Sequence, residues 1–314
     1  MNDLARVLDY HRRTKHHFNR FARGPGRLDW ATQPAPFRRY HGAPLIPLDR
    51  GPLPESPSYQ DACLEGNVRP EALSLTSVSQ LFYDSLSLSA WKQAGQSTWS
   101  LRVNPSSGNL HPTEGYLVCG PVPGLADSPM VAHYAPGEHG LERRAGFSLA
   151  LWEALTKGLP GDTVFVGLSS IHWREAWKYG ERAFRYCQHD AGHAMAALGM
   201  AAAGLGWQAR LLDDLGTEQL ALLMGIADRH GIEAEHPDCL LAVYPQGQTG
   251  STLTVPEPPL AALAKLSWQG TENVLSRGHV EWPIIDAVAE STEKPPTEVA
   301  SSPPYSTLEG GGGS

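Results

Sequence analysis

Residues 104–112, Asn-Pro-Ser-Ser-Gly-Asn-Leu-His-Pro, gather groups that can hold a polar ligand. Pro105 and Pro112 fix the backbone near both ends, while Ser106, Ser107, Asn109 and His111 supply donors and acceptors. Gly108 lets the main chain approach a ligand closely. That density suits a planar heteroaromatic molecule with several polar edge atoms; the competing reading is a polar turn between two elements. A second group follows at Trp177-Lys178-Tyr179-Gly180, with Arg182, Arg185, Tyr186, Asp190 and His193 close behind. Lys178 and Tyr179 form an acid–base pair if desolvation or the nearby Arg174 and Arg182 lower the ordinary lysine pKa of about 10.4. Otherwise they are a surface lysine beside a core tyrosine. His189 and His193 stand one helical turn apart, but no HExxH pattern and no third ligand accompany them, so no metal is expected. Cys63, Cys119, Cys187 and Cys239 form no CxxC pair and read as free thiols.

The stretch from Pro105 to Pro112 is similar to the flavin-contacting motif of the nitroreductase superfamily. With Glu114 and Tyr116 it most resembles the SagB-type dehydrogenases, the branch that includes the azoline oxidases of ribosomal peptide maturation. The resemblance spans about residues 74 to 245. It implies an α+β fold with a central, mostly antiparallel sheet flanked by helices, an intertwined homodimer, and FMN at the subunit interface. Pro105, Ser106, Ser107, Asn109 and His111 are then the flavin-lining residues. Lys178 and Tyr179 match a Lys-Tyr pair implicated in catalysis, which would remove a proton while hydride leaves the substrate for the flavin. Gly204-Leu-Gly206 is similar to the Gly-Leu-Gly that ends a long helix beside the flavin. The Arg-x-Ser-x-Arg element that usually grips the FMN phosphate has no counterpart in residues 56–77, which offer only Arg69. Arg102 is expected in its place, ahead of Arg277 and the basic run at Arg12–His17.

The function implied is an FMN-dependent oxidoreductase, oxidising azoline rings in a ribosomal peptide or acting on another small-molecule or peptide substrate. NAD(P)H or O2 would be its redox partner. One alternative is a flavin-free scaffold or partner subunit of a peptide-modifying complex. Another is an NAD(P)H-dependent nitro- or quinone reductase; the lack of a GxGxxG loop agrees with a nicotinamide donor that binds only transiently.

The elements that must position these residues are visible as periodicity. Leu75, Val78, Leu81 and Phe82 recur at helical spacing, and a second short helix is expected at Ser89–Ala94. Residues 115–120 and 162–170 read as buried strands, with 131–134 as a hairpin partner of the first and a helix at 147–155. The longest helix is expected over 181–205, with Phe184, Cys187, Ala191, Met195, Leu198, Ala202 and Leu205 on its core face. A short element at 210–215, a helix at 218–224 stopped by Gly225 and a short strand at 240–244 complete the pattern. Strands and helices do not alternate regularly, which favours α+β over a doubly wound sheet.

Composition bounds the rest. A chain of 314 residues forms one large domain or two small ones. Its net charge of −8 argues against a nucleic-acid surface, which needs clustered cations. The N-terminus is charged throughout and lacks the apolar core of a signal peptide, so a cytoplasmic protein is expected, with no membrane partner. The greasy stretch Ala194–Trp207 is shorter than the ~20 residues a bilayer requires. Prolines crowd residues 24–57 and the tail. The expected organisation is a Pro-rich arm at 1–60, a flavin domain at 61–285, and a disordered tail at 286–314 whose GGGGS end reads as an appended linker.

Overall fold

The structure, a computed structural model, describes residues 2–53, 56–64, 66–228 and 230–297. The Asn2 side chain accepts the Ala5 N–H and starts helix α1 (Asp3–Thr14). Prolines then hold the chain extended over the body, where it adds two short strands, β1 (Tyr40–His41) and β2 (Leu45–Pro47). After α2 (Tyr59–Ala62), Ser74 and Ser77 close a capping box that opens α3 (Leu75–Tyr83), where apolar spacing places a helix.

Residues 89–94 are not helical. They lie in β3 (Leu88–Ala94), paired with β4 (Ser97–Arg102) through a two-residue loop with Gly95 at φ +60°. Glycine in that tight hairpin position and the ladder it sets up override the modest helix propensity of Ala-Trp-Lys-Gln-Ala. Strands β5 (Thr113–Cys119), β6 (Met130–Ala135) and β7 (Gly140–Gly146) form a meander, followed by α4 (Leu149–Leu155) and β8 (Val164–Ile171). Helix α5 (His172–Tyr179) follows β8 directly, and a tight turn at Gly180 leads into the longest helix, α6 (Ala183–Gly204). Then come β9 (Trp207–Leu211), α7 (Thr217–Met224), β10 (Glu235–Pro245), α8 (Glu257–Leu263), β11 (Thr271–Glu272) and α9 (Pro283–Ser291).

The central sheet has seven strands in the order β2-β7-β6-β5-β8-β10-β9, and each pairing is antiparallel. One face carries Leu117, Ala132, Val166, Leu168 and Leu241 against α3 and against Ala194, Leu198 and Ala202 of α6. The other carries Tyr116, Val118, Phe165 and Leu240 against α7 and α8. Both faces are covered, which is why these strands read as continuous apolar runs rather than alternating ones. This is the expected α+β arrangement.

Three expectations shift. The element placed at 210–215 is the edge strand β9, which ends at Leu211. Strand β10 begins at Glu235, five residues before the apolar run, because its first half is polar and pairs with β8 across a bulge. Finally, ordered chain continues past position 285: Ile285 and Val288 are buried on α9, and Lys294 and Thr297 donate their N–H groups to Thr217 Oγ1 and the Asp214 carbonyl. Pro283 at the first turn, followed by apolar residues three and four apart, was the missed helix signal. Residues 298–314 of the expected tail lie outside the described residues. Among the described residues, no helix is long and apolar enough to cross a membrane.

Candidate active site

The loop between β4 and β5 is held in an uncommon shape. Gly108, Asn109 and His111 all take positive φ, at +63°, +56° and +52°. Two of the three carry side chains, so the surrounding contacts must offset the strain. The Ser106 hydroxyl accepts the His111 N–H at 2.9 Å, and the Asp190 carboxylate accepts the Ser107 N–H at 3.2 and 3.3 Å. Nδ1 of His193 lies 3.2 Å from the Pro105 carbonyl, one turn further along α6. Asp190 and His193 thus clamp the loop from one helix face.

The end of α5 arrives over the same loop. A Cβ built on Gly108 would lie 2.6 Å from Lys178 Nζ and 2.7 Å from Tyr179 Oη, so the tips of both side chains occupy the space a side chain would take, and φ +63° independently favours glycine. Lys178 Nζ also sits 5.4 Å from the Tyr179 ring centre. Gly180, at φ +53°, makes the reversal into α6, and a side chain there would strike the Arg23 carbonyl and Trp282. Tyr186 packs on Tyr179 with ring centres 4.5 Å apart, and its hydroxyl accepts Arg182 Nε–H at 3.1 Å. Burial, with Glu175 nearby, pushes the Tyr179 phenol up to about 12, so it is a neutral hydrogen-bond donor near pH 7.

Beneath the loop lies a buried charged platform. Arg174 donates to Glu114, to the His111 carbonyl at 2.7 Å and to the Ala35 carbonyl at 3.0 Å. His133 stands between Glu114 at 2.9 Å and Glu142 at 3.0 Å. Burial alone would raise the Glu114 carboxyl; Arg174, the His133 bond and Arg102 hold it down to about 2. The platform fixes the loop's exit through the His111 carbonyl.

Not every sequence candidate joins this junction. Pro105, Ser106, Ser107 and Asn109 form the accessible crest with Lys178 and Tyr179, whereas His111 is folded inward, 1% exposed, with Nε2 3.2 Å from the Ser100 carbonyl. Burial and Arg102 lower its imidazole to about 3, so it is neutral. Arg102 is buried too, donating to the Thr113 carbonyl at 2.9 Å and to the Pro36 carbonyl. Gly204 lies eleven residues beyond His193, roughly 16 Å along α6 at 1.5 Å per residue. Gly206 abuts Pro70 and Val68. The structure therefore leaves Arg102, Gly204 and Gly206 away from the loop–pair junction. Among the described residues, no cluster suited to a metal is found.

Two residues carry chemistry that the motifs did not single out. Glu175 is fully buried on α5 and, among the described residues, neither of its carboxyl oxygens has a partner; Asp238 is partly buried on β10 and accepts the Ser170 Oγ–H at 2.6 Å. The signal for Glu175 was its spacing, three and four residues before Lys178 and Tyr179. Clefts of about 900 and 410 Å³ open along α6–α7 and beside His172, Trp173 and Trp282; neither is walled by Lys178 or Tyr179.

The crest suits the planar ring of a flavin. Among the described residues, the Ser107 hydroxyl and the Asn109 side chain have no protein partner, and both sit on accessible backbone at the glycine that admits the pair. The fit to a phosphate is poorer, because the buried Arg102 guanidinium donates inward to main-chain carbonyls.

No family model matches this sequence, and no curated protein matches it. Among solved structures, the chain resembles a protein assigned as a nitroreductase from Anabaena variabilis, at 23% identity and a TM-score of 0.57. That match covers 81% of this chain and 52% of the other, so the chain spans about half the length of that protein. Looser matches are a protein assigned as a nitroreductase from Ralstonia eutropha (16% identity, TM-score 0.46, covering 71% of this chain and 96% of that one), and the Escherichia coli microcin synthetase McbBCD complex with truncated pro-MccB17 bound (19% identity, TM-score 0.41, covering 55% and 64%). The likeness establishes a nitroreductase-like fold.

Proposed function

We propose that this chain is an FMN-dependent oxidoreductase that dehydrogenates its substrate with the help of Lys178 and Tyr179. The observation that carries the reading is the meeting of Lys178 Nζ and Tyr179 Oη at Gly108 of the Pro-Ser-Ser-Gly-Asn loop, two segments far apart in sequence. Ser106, Ser107 and Asn109 would hold the polar edge of the flavin, with Pro105 fixing the start of the crest. The flavin, when bound, supplies the two-electron acceptor.

The chain's own residues supply the proton chemistry. Oxidising an azoline to an azole removes a proton as well as a hydride, so a base must stand beside the reacting carbon. Tyr179, kept protonated, donates a hydrogen bond that orients the substrate. Lys178 is the side chain placed beside it to take the proton. The substrate class in this reading is an azoline within a peptide, with a second copy of the chain completing the site and O2 or NAD(P)H as redox partner.

Purified protein is expected to carry flavin absorbance, or to acquire it when FMN is added, with FMN identified by chromatography. Lys178→Ala should slow flavin reduction by an azoline peptide about 10²–10⁴-fold, and Tyr179→Phe by less. If Lys178→Ala instead turns over nitro or quinone substrates at the parental rate with NAD(P)H, the reductase reading replaces this one. One observation favours a flavin-free scaffold: Arg102 donates inward to the Thr113 and Pro36 carbonyls, and each charge-assisted bond to a phosphate thereby forgone is worth about 1.5–3 kcal/mol. A colourless protein that takes up no FMN selects that reading.

A further inference from the structure

We propose that the end of α1 and the turn after it form a docking surface for an acidic peptide segment, the part of a peptide substrate that lies outside the reacting ring. The proposal deepens the dehydrogenase reading above and rests on it for the nature of the substrate. Between Asp9 and Asp29 the chain carries Arg12, Arg13, Lys15, Arg20, Arg23 and Arg27 and no acidic residue. Arg13 is neutralised by Glu181. The other five are exposed and, among the described residues, none of them pairs with a carboxylate.

Aromatic rings stand among these cations. Phe18 is fully exposed and Phe21 is 73% exposed. Phe18 does not sit on a frayed end: His17 and Arg20 exchange main-chain hydrogen bonds at 2.8 and 3.2 Å, and Arg20 Nη2 donates to the Arg12 carbonyl at 2.8 Å. A closed turn therefore holds the ring in solvent. His16 meets Phe21 edge-on, with ring centres 5.2 Å apart. The fold gains no burial from such rings, and arginine and aromatic side chains left together at a surface are the composition of an interface.

Sign and setting select the partner. The cations call for carboxylates or phosphates, but an extended polyanion, a bilayer or a nucleic acid, would also meet the rest of the molecule. The whole chain is at −8, and without this stretch it is more acidic still. A short acidic segment meets only charges within about a Debye length, ~8–10 Å, where the patch dominates. The patch is also tied to the turn that follows Lys178 and Tyr179. Besides the Arg13–Glu181 pair, Arg182 donates to the Thr14 carbonyl, Arg185 Nη2 to the His11 carbonyl at 3.2 Å, and the Glu181 N–H to the Arg23 carbonyl at 3.1 Å. Docking there tethers a peptide beside the loop crest and acts on its capture, leaving the chemistry to the crest.

The test uses full-length protein, no cofactor, and a fluorescein-labelled peptide of Glu and Ser residues with a single Phe, followed by anisotropy. The peptide should bind at low salt and weaken at least about 10-fold between roughly 50 and 300 mM salt, and the same peptide with Lys for Glu should not bind. A triple variant, Arg12→Glu, Lys15→Glu and Arg27→Glu, should bind at least about 10-fold more weakly, and Phe18→Ser should weaken binding by a smaller factor. No binding at low salt, or equal binding by wild type and the triple variant, overturns the proposal. Tighter binding to phosphatidylserine vesicles or to a single-stranded oligonucleotide overturns it as well. The salt and sign comparisons use wild type alone, so they decide even if the triple variant does not fold. In flavin reduction, an azoline peptide with an acidic extension should have a KM at least about 10-fold below that of the same peptide without it, at equal kcat; equal KM values count against the proposal. The anisotropy needs neither FMN nor turnover, so failure of the docking surface and failure of the dehydrogenase reading give different results.

Discussion

Asp238 shows how a single side chain can make the whole fold sensitive to pH. Burial pushes its carboxyl up to about 7, against the opposing hydrogen bonds of Ser170 and Gln188. The native state therefore keeps a proton that the unfolded chain has released, between about pH 4 and pH 7. Stability from this group is full below the unfolded value and is lost as pH rises toward 7, the reverse of a salt-bridged carboxylate. The swing this group adds is at most roughly 4 kcal/mol. Asp238→Asn should accordingly melt higher than the wild type at pH 8 and lose that advantage at pH 4.5, as thermal scans across the range will show. At this scale the sequence was partly readable. The Pro-Ser-Ser-Gly-Asn loop and Lys178–Tyr179 stood out by residue type, and they do meet. That His111 and Arg102 turn inward was not readable, because a histidine or arginine in a polar run looks the same whether it faces solvent or the Ser100 and Thr113 carbonyls. Only the tertiary path of the loop decides it.

Elements with a single strong period were legible, and those whose identity depends on a partner were not. Helix α6 and strands β5 and β8 declare themselves through spacing and continuous apolar runs. Residues 89–94 become β3 only because β4 returns alongside, and the polar first half of β10 joins the sheet only because β8 is there to pair with it. The platform of Glu114, Arg174, His133 and Glu142 belongs to this second kind, since its members come from β5, α5, β6 and β7. Arg174→Met would leave Glu114 buried without its main counter-ion and free the His111 carbonyl. It should cost about 3–5 kcal/mol in denaturant unfolding at pH 7. Because Glu114 is held down to about 2, its contribution is present above the unfolded carboxyl value and fades as pH falls toward 2. The gap between variant and wild type should therefore narrow in acid.

Across the whole molecule, segments distant in sequence converge on the turn that carries the candidate pair. Arg13 pairs with Glu181, the Tyr10 hydroxyl donates to the Glu181 carbonyl at 2.7 Å, and Arg182 donates to the Thr14 carbonyl. On the other side, Trp282, just before α9, stacks under Arg23 and closes against Gly180. The proline-rich arm is thereby bound into the body, with Arg38 donating to the Glu233 and Asn273 carbonyls at 2.6 Å each. Removing residues 2–20 should leave the central sheet folded but loosen the α5–α6 turn. Hydrogen exchange is expected to accelerate at residues 178–185 while β5 and β8 keep their protection; uniform loss of protection would show instead that α1 is required by the core.

The contact between Gly180 and Trp282 also sets a timetable. At roughly 5–20 residues per second of synthesis, the stretch separating these two positions takes on the order of 5–20 s to emerge from the ribosome. The sheet strands β5 and β8, both helices of the turn and the Gly108 loop exist by then, but the tryptophan that closes against Gly180 does not. A nascent chain with a folded core therefore still has an open α5–α6 turn, which the Arg23–Trp282–Gly180 contact closes only as α9 follows.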